Sequence, residues 1–236
     1  MNLLQKLTAT FLITIVFITN AFSIHSTNIA NDYKVNEDGK ITLVKRTKDN
    51  FDRLIAVSTK KEKILYTPKG NPVQDYLEVE KGFLKEGKAM HAHYKGKHLK
   101  GLRIEFGNNF AQAQAVFDFL ADHSYVEWSL LSFGTETASR TNLYTTYQRD
   151  LEFFGSLKTH RLVHAPNIIS IKHYHNHPRY DIEAEGKYAF PSDQDLDFRN
   201  YVLKYSMQIA EFKIRTDGMY IDYSSPLEWN KANNEL

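Results

Sequence analysis

Residues 167–178 read NIISIKHYHNHP: an apolar run, then histidines at every second position, then a proline. This pattern predicts a buried strand that runs out into imidazoles and stops at Pro178. Alternate residues of a strand share a side, so His175 and His177 present ring nitrogens to one point across ~7 Å of backbone. His173 lies in the same register one step deeper and reads as a wall residue. Two ligands do not make a metal site, and PSDQDL, residues 191–196, offers carboxylates where a loop enters the next helix. A helix start also places Ser192 and free backbone amides beside whatever is bound. The chain has no cysteine. Disulfides, thiolate nucleophiles and cysteine zinc sites are thereby excluded, and any metal is held by His, Asp or Glu. HAH at 91–93 has the same spacing but lies in the basic stretch MHAHYKGKHLK, with no proline and no helix start behind it. It reads as structural.

Outward from this strand, the chain of 236 residues is 42% hydrophobic and 25% charged, enough for one large or two small globular domains. A net charge of +2 is too mild to argue for a nucleic-acid partner. Lys6, the apolar run from Leu7 to Phe22, and small residues at Ala21 and Ser23 form the pattern of a secretory signal peptide over residues 1–23. The mature chain is expected to begin near Ile24, exported (periplasmic or secreted) and without a membrane anchor. Residues 24–100 alternate apolar and polar positions around turn signals at Glu37-Asp38-Gly39 and Lys48-Asp49-Asn50, which predicts a small β-rich region of short antiparallel strands. Near residue 100 the pattern changes. GLRIEF, YVEWSLLSFG and TNLYTTYQ read as strands, AQAQAVFDFLADHS and DQDLDFRNYVLKYSM as helices, and LEFFGSLKTHRL is ambiguous. QIAEFKIRTDGMYIDY reads as a hairpin turning at Asp217-Gly218. The expected fold class is α+β, a mixed sheet flanked by helices over residues 101–236, with the β-rich region in front of it.

His175-Asn176-His177-Pro178, followed by Ser192-Asp193-Gln194-Asp195, resembles the HxHP…SxxD signature of the JAMM (MPN-plus, JAB-like) metallopeptidases. Its HNHP form is similar to that of RadC-type bacterial members. A third piece lies upstream: Glu127, seven residues before Gly134, resembles the family's E-x-x-G-L-x-x-G pattern. The resemblance covers roughly residues 101–224. It implies a JAMM/MPN-like, cytidine-deaminase-like fold, and zinc held by His175, His177 and Asp195 with a fourth position open to water. It further implies Glu127 as the general base and proton carrier, and Ser192 as a hydrogen-bond donor to the oxyanion. The reaction implied is hydrolysis of a peptide or isopeptide bond in a protein or peptide substrate.

The match has departures. The 179–191 gap, RYDIEAEGKYAFP, is longer than the family's usual spacing, and Leu130 stands where a glycine is usual. Asp193 and Asp181 are the alternative ligands, and Glu136 and Glu105 the alternative bases. DYKVNEDGKITLVKRTKDNFDRL is similar to segments that precede JAMM-type domains at the tips of bacterial polymorphic (Rhs-type) toxins, which implies a neutralising immunity protein as partner. Two other functions use the same residues. One is an exported cell-wall endopeptidase of another zinc class, although the HxxxD partner of LytM-type enzymes is missing. The other is a non-catalytic MPN-like binding module, whose usual mark is loss of a ligand or of the glutamate.

Overall fold

A computed structural model describes residues 30–58, 63–178, 190–205 and 207–225. The expected signal peptide, Asp181 and most of the 179–191 stretch lie outside the described residues. The first sheet has four strands in the order β2-β1-β3-β4, formed by β1 Ala30–Val35, β2 Ile41–Thr47, β3 Phe51–Ala56 and β4 Tyr76–Glu80. Not all of it is antiparallel as expected: β3 returns past β2 and lies parallel to β1. Alternation of apolar and polar residues is the same for either direction, so the pattern cannot distinguish them.

A one-turn 3₁₀ helix, Phe83–Glu86, leads into a seven-stranded sheet. Its elements are β5 Lys88–Tyr94, β6 Lys97–Glu105, α1 Phe110–His123, β7 Trp128–Gly134, β8 Ser139–Thr145, α2 Phe154–Leu162, β9 Ser170–Asn176, α3 Asp193–Leu203, β10 Ile209–Thr216 and β11 Met219–Asp222. The strand order is β11-β10-β9-β7-β8-β6-β5, with β9 and β10 parallel and every other pair antiparallel. The fold is α+β, with mixed sheets and few helices. The change of sheet comes between Glu80 and Lys88, so residue 100 falls inside β6.

Each face of the large sheet buries its own core. On one face α1 inserts Ala113, Val116, Phe117 and Leu120 against Trp128, Leu130, Leu143 and Tyr174, and the small sheet adds Val35, Leu54 and Val79 to the same cluster. On the other face α2 and α3 cover Leu131, Ile171, Phe212 and Ile214. The ambiguous segment is therefore a helix in its second part, because Phe154 and Leu162 find an apolar face of the sheet to cover. The expected hairpin turns at Asp217 and Gly218, whose φ of 47° and 77° suit a two-residue turn. Among the described residues, no helix is long and apolar enough to cross a membrane.

The small sheet also braces the approach to β7. Glu37 O accepts a 2.8 Å hydrogen bond from Tyr125 N–H. Gly39, at φ +72°, sits where a Cβ would come within 2.5 Å of Val126. That turn needs glycine twice over, for its backbone conformation and for the close approach.

Candidate metal centre and its cavity

His175 and His177 stand at the end of β9. Pairing with β10 continues past the strand, since His177 N–H donates to Arg215 O at 3.1 Å, and this holds the second histidine in register. Their Nε2 atoms are 3.1 Å apart. Asp195 arrives from the first turn of α3, where it completes a capping box. Ser192 Oγ accepts from Asp195 N–H (3.2 Å), and the Asp195 carboxylate accepts from Ser192 N–H (2.8 Å) and Oγ–H (2.7 Å). That bend aims the carboxylate at β9, with its oxygens 3.2 Å from His175 Nε2 and 3.4 Å from His177 Nε2.

These three residues can hold a metal ion, one ligand atom of each lying within 4.8 Å of the others. A tetrahedral ion bound at roughly 2.0–2.1 Å separates its ligands by about 3.3–3.4 Å. The 3.1 Å between the two histidine nitrogens is close to such an edge, while Asp195 meets His175 through Oδ1 at 3.2 Å and His177 through Oδ2 at 3.4 Å, so either oxygen is within reach of the shared point. Burial alone would raise the Asp195 carboxyl, but the adjoining His175 imidazole and the hydrogen bonds from His175, His177 and Ser192 hold it far below the usual carboxylate range. It stays an anion, as a ligand must.

Register brings in the glutamate. Ser129 of β7 is level with His175, and continuing the antiparallel pairing by two residues sets Glu127 level with His177, on the same face. Glu127 precedes β7 and is half-buried in the wall of a cavity of about 350 Å³ that it shares with His175, His177 and Asp195. Desolvation pushes its carboxyl well above the ordinary range. Asp195 and Glu152 push in the same direction, a hydrogen bond from the Glu152 backbone N–H opposes them, and Asp150 adds to the rise. Asn176, between the two histidines, points to the other face and is 1% exposed. Its Oδ1 accepts from Trp128 N–H at 2.7 Å and its Nδ2 donates to Val126 O at 3.2 Å. The two backbone neighbours of Glu127 are thus tied to the residue between the two candidate ligands.

The other expected residues separate by position. Ser192 is exposed at the cavity rim, with its hydroxyl engaged by Asp195. His173 lines the wall, as expected, and burial lowers its imidazole to about 3. Asp193 is exposed and outside the three-residue cluster. Glu136 is exposed beyond the opposite end of β7. Glu105 is paired with Arg103 (2.5 Å) and Lys88 (3.4 Å). His91 and His93 are exposed on the edge strand β5, packed against His98 and four strand steps from β9.

Three features in and around the cavity carry no motif in the sequence. Glu152 is buried, and its carboxylate accepts from the N–H groups of Phe154 (2.8 Å) and Gly155 (3.0 Å), which anchors the start of α2. Two acids, Asp150 and Glu152, just ahead of a helical pattern were the available signal. Asn176 reads locally as spacing between histidines. The aromatic lining from Tyr94, Phe153 and Phe198 comes from three distant segments, with no local mark of common purpose.

Residues 106–200 match the model of a family described as JAB-like toxin 1. The match supports a JAB-like toxin domain over that stretch, and it spans Glu127, both histidines, Ser192 and Asp195. No curated protein and no solved structure matches the chain.

Proposed function

We propose, taking the JAB-like toxin domain of residues 106–200 as the premise, that this protein is a zinc-dependent peptidase of the JAMM type, exported and acting as a toxin. On this reading the mixed sheet is a JAMM/MPN-like, cytidine-deaminase-like one. The partners are a protein or peptide substrate and a neutralising immunity protein. Export rests on the leader pattern of residues 1–23.

The observation that carries the reading is the meeting of Glu127 with His175, His177 and Asp195 on one cavity, from segments as far apart as β7 and α3. His175, His177 and Asp195 would hold zinc, which supplies Lewis-acid chemistry, polarising an amide carbonyl and making water a better nucleophile near neutral pH. Glu127 takes the proton of the attacking water as the new carbon–oxygen bond forms, and delivers it to the amide nitrogen as the carbon–nitrogen bond breaks. Its raised affinity for a proton suits a group that must both accept and return one. Ser192 turns its hydroxyl from Asp195 toward the carbonyl oxygen as negative charge develops there.

The test is Glu127→Gln, which keeps shape and hydrogen bonding but cannot accept the proton. Zinc content and fold should survive, while cleavage of a panel of unstructured polypeptides should fall by roughly 10²- to 10⁴-fold. Cleavage at the wild-type rate would place the base elsewhere. Loss of zinc would make Glu127 a ligand.

A further inference from the structure

The cavity has a mixed lining. Beside the polar group of Glu127, His175, His177 and Asp195, apolar side chains come from Tyr94, Leu151, Phe153, Leu157 and Phe198, with Ser156, His160 and His173 also in the wall. The fold holds those apolar side chains in place. Tyr94 leans from the edge strand β5 onto Phe153, with ring centroids 4.8 Å apart, and Phe198 of α3 packs edge-on against His173 at 5.1 Å, beside the candidate ligands. The loop that carries Leu151 and Phe153 is pinned by the buried Glu152 carboxylate to the start of α2. Gly155 permits this, because a Cβ there would lie 2.0 Å from Ser129 Oγ and 2.7 Å from Glu152 Oε2. An apolar surface held in place and left open to a cavity of about 350 Å³ favours a large apolar group as its occupant.

We infer that this apolar lining receives a bulky apolar or aromatic side chain of a polypeptide substrate, from a residue adjoining the amide held at the polar group. The inference rests on the amide-hydrolase reading of that polar group, and it narrows the substrate class. A linear polypeptide carrying Phe, Tyr, Trp or Leu beside the cleaved bond fills the cavity. A glycine-tailed isopeptide or a cross-link between small residues leaves it empty. Leu157, on the cavity-facing side of α2, is the position where pocket size can be changed without touching the candidate ligands or Glu127.

The experiment uses the full chain loaded with zinc and quenched fluorescent peptides that differ at one residue, Phe or Ala, on either side of a central amide. With the Phe peptide, kcat/KM should be at least about 10-fold higher on one side. Binding of the same peptides to Glu127→Gln, followed by fluorescence anisotropy, gives a readout without turnover, and the Phe peptide should again bind about 10-fold more tightly. Leu157→Trp should collapse both ratios toward one, and Leu157→Ala should shift the preference toward a Trp peptide. Equal affinity for the Phe and Ala peptides on both sides, in protein of normal zinc content, overturns the apolar pocket whether or not cleavage occurs. A binding preference without zinc-dependent cleavage of any peptide keeps the pocket and overturns the hydrolase reading instead.

Discussion

Asn176 shows how much one side chain between two candidate ligands can do. It faces away from the metal cluster, yet its amide spans the backbone on both sides of Glu127. Both hydrogen bonds are buried, so an apolar replacement leaves a buried N–H and a buried C=O without their partner. Asn176→Leu should cost about 1–3 kcal/mol in denaturant unfolding. If it acts by positioning Glu127, hydrolysis should fall through kcat more than KM, with zinc content kept, and Asn176→Asp should recover part of the loss by still accepting from Trp128 N–H. A fall in stability alone, with kcat of the folded fraction unchanged, would leave Asn176 a purely structural residue.

At the scale of elements, α3 is a helix whose start is also half of the site. Asp195 is the N3 partner in the capping box and the carboxylate of the cluster, so a helix-forming device and a candidate ligand are the same group. Ser192→Ala removes the hydroxyl that both caps the helix and orients that carboxylate. It should lower stability by about 1 kcal/mol, as loss of a cap does, and weaken zinc binding by about 10- to 100-fold, as loss of a group that orients a ligand does. Thermal unfolding and chelator competition measure the two effects separately. Ser192→Asp, which can also cap, should restore the first and not the second.

At the scale of the molecule, the metal would tie the end of β9 to the start of α3, elements that follow one another in the chain. An ion that binds only the folded chain stabilises it by mass action. Zinc at about 1,000 times its Kd contributes about 4 kcal/mol, which for a chain of this size raises Tm by about 8–16 °C. Calorimetry with zinc and after chelation should show that difference. His175→Ala should abolish it, and replacing both His91 and His93 should not. A shift unchanged in His175→Ala would move the ion elsewhere.

The sequence by itself determined what neighbours along the chain determine. Alternation puts His175 and His177 on one side of a strand, Ser192 and Asp193 signal a helix start whichever sheet lies beside it, and Asp217-Gly218 is a turn because few other residues tolerate its backbone angles. The family resemblance named Glu127, but only the register of β7 against β9 sets it level with His177. Tertiary structure alone decided the parallel pairing of β1 with β3, the place of the β5–β6 hairpin in the large sheet, and the helix inside LEFFGSLKTHRL. It also decided the apolar lining drawn from β5, α2 and α3. The physical reason is the same in each case: propensity and periodicity are set within a few residues, whereas strand order, strand direction and the walls of a cavity depend on which distant surfaces are buried against one another.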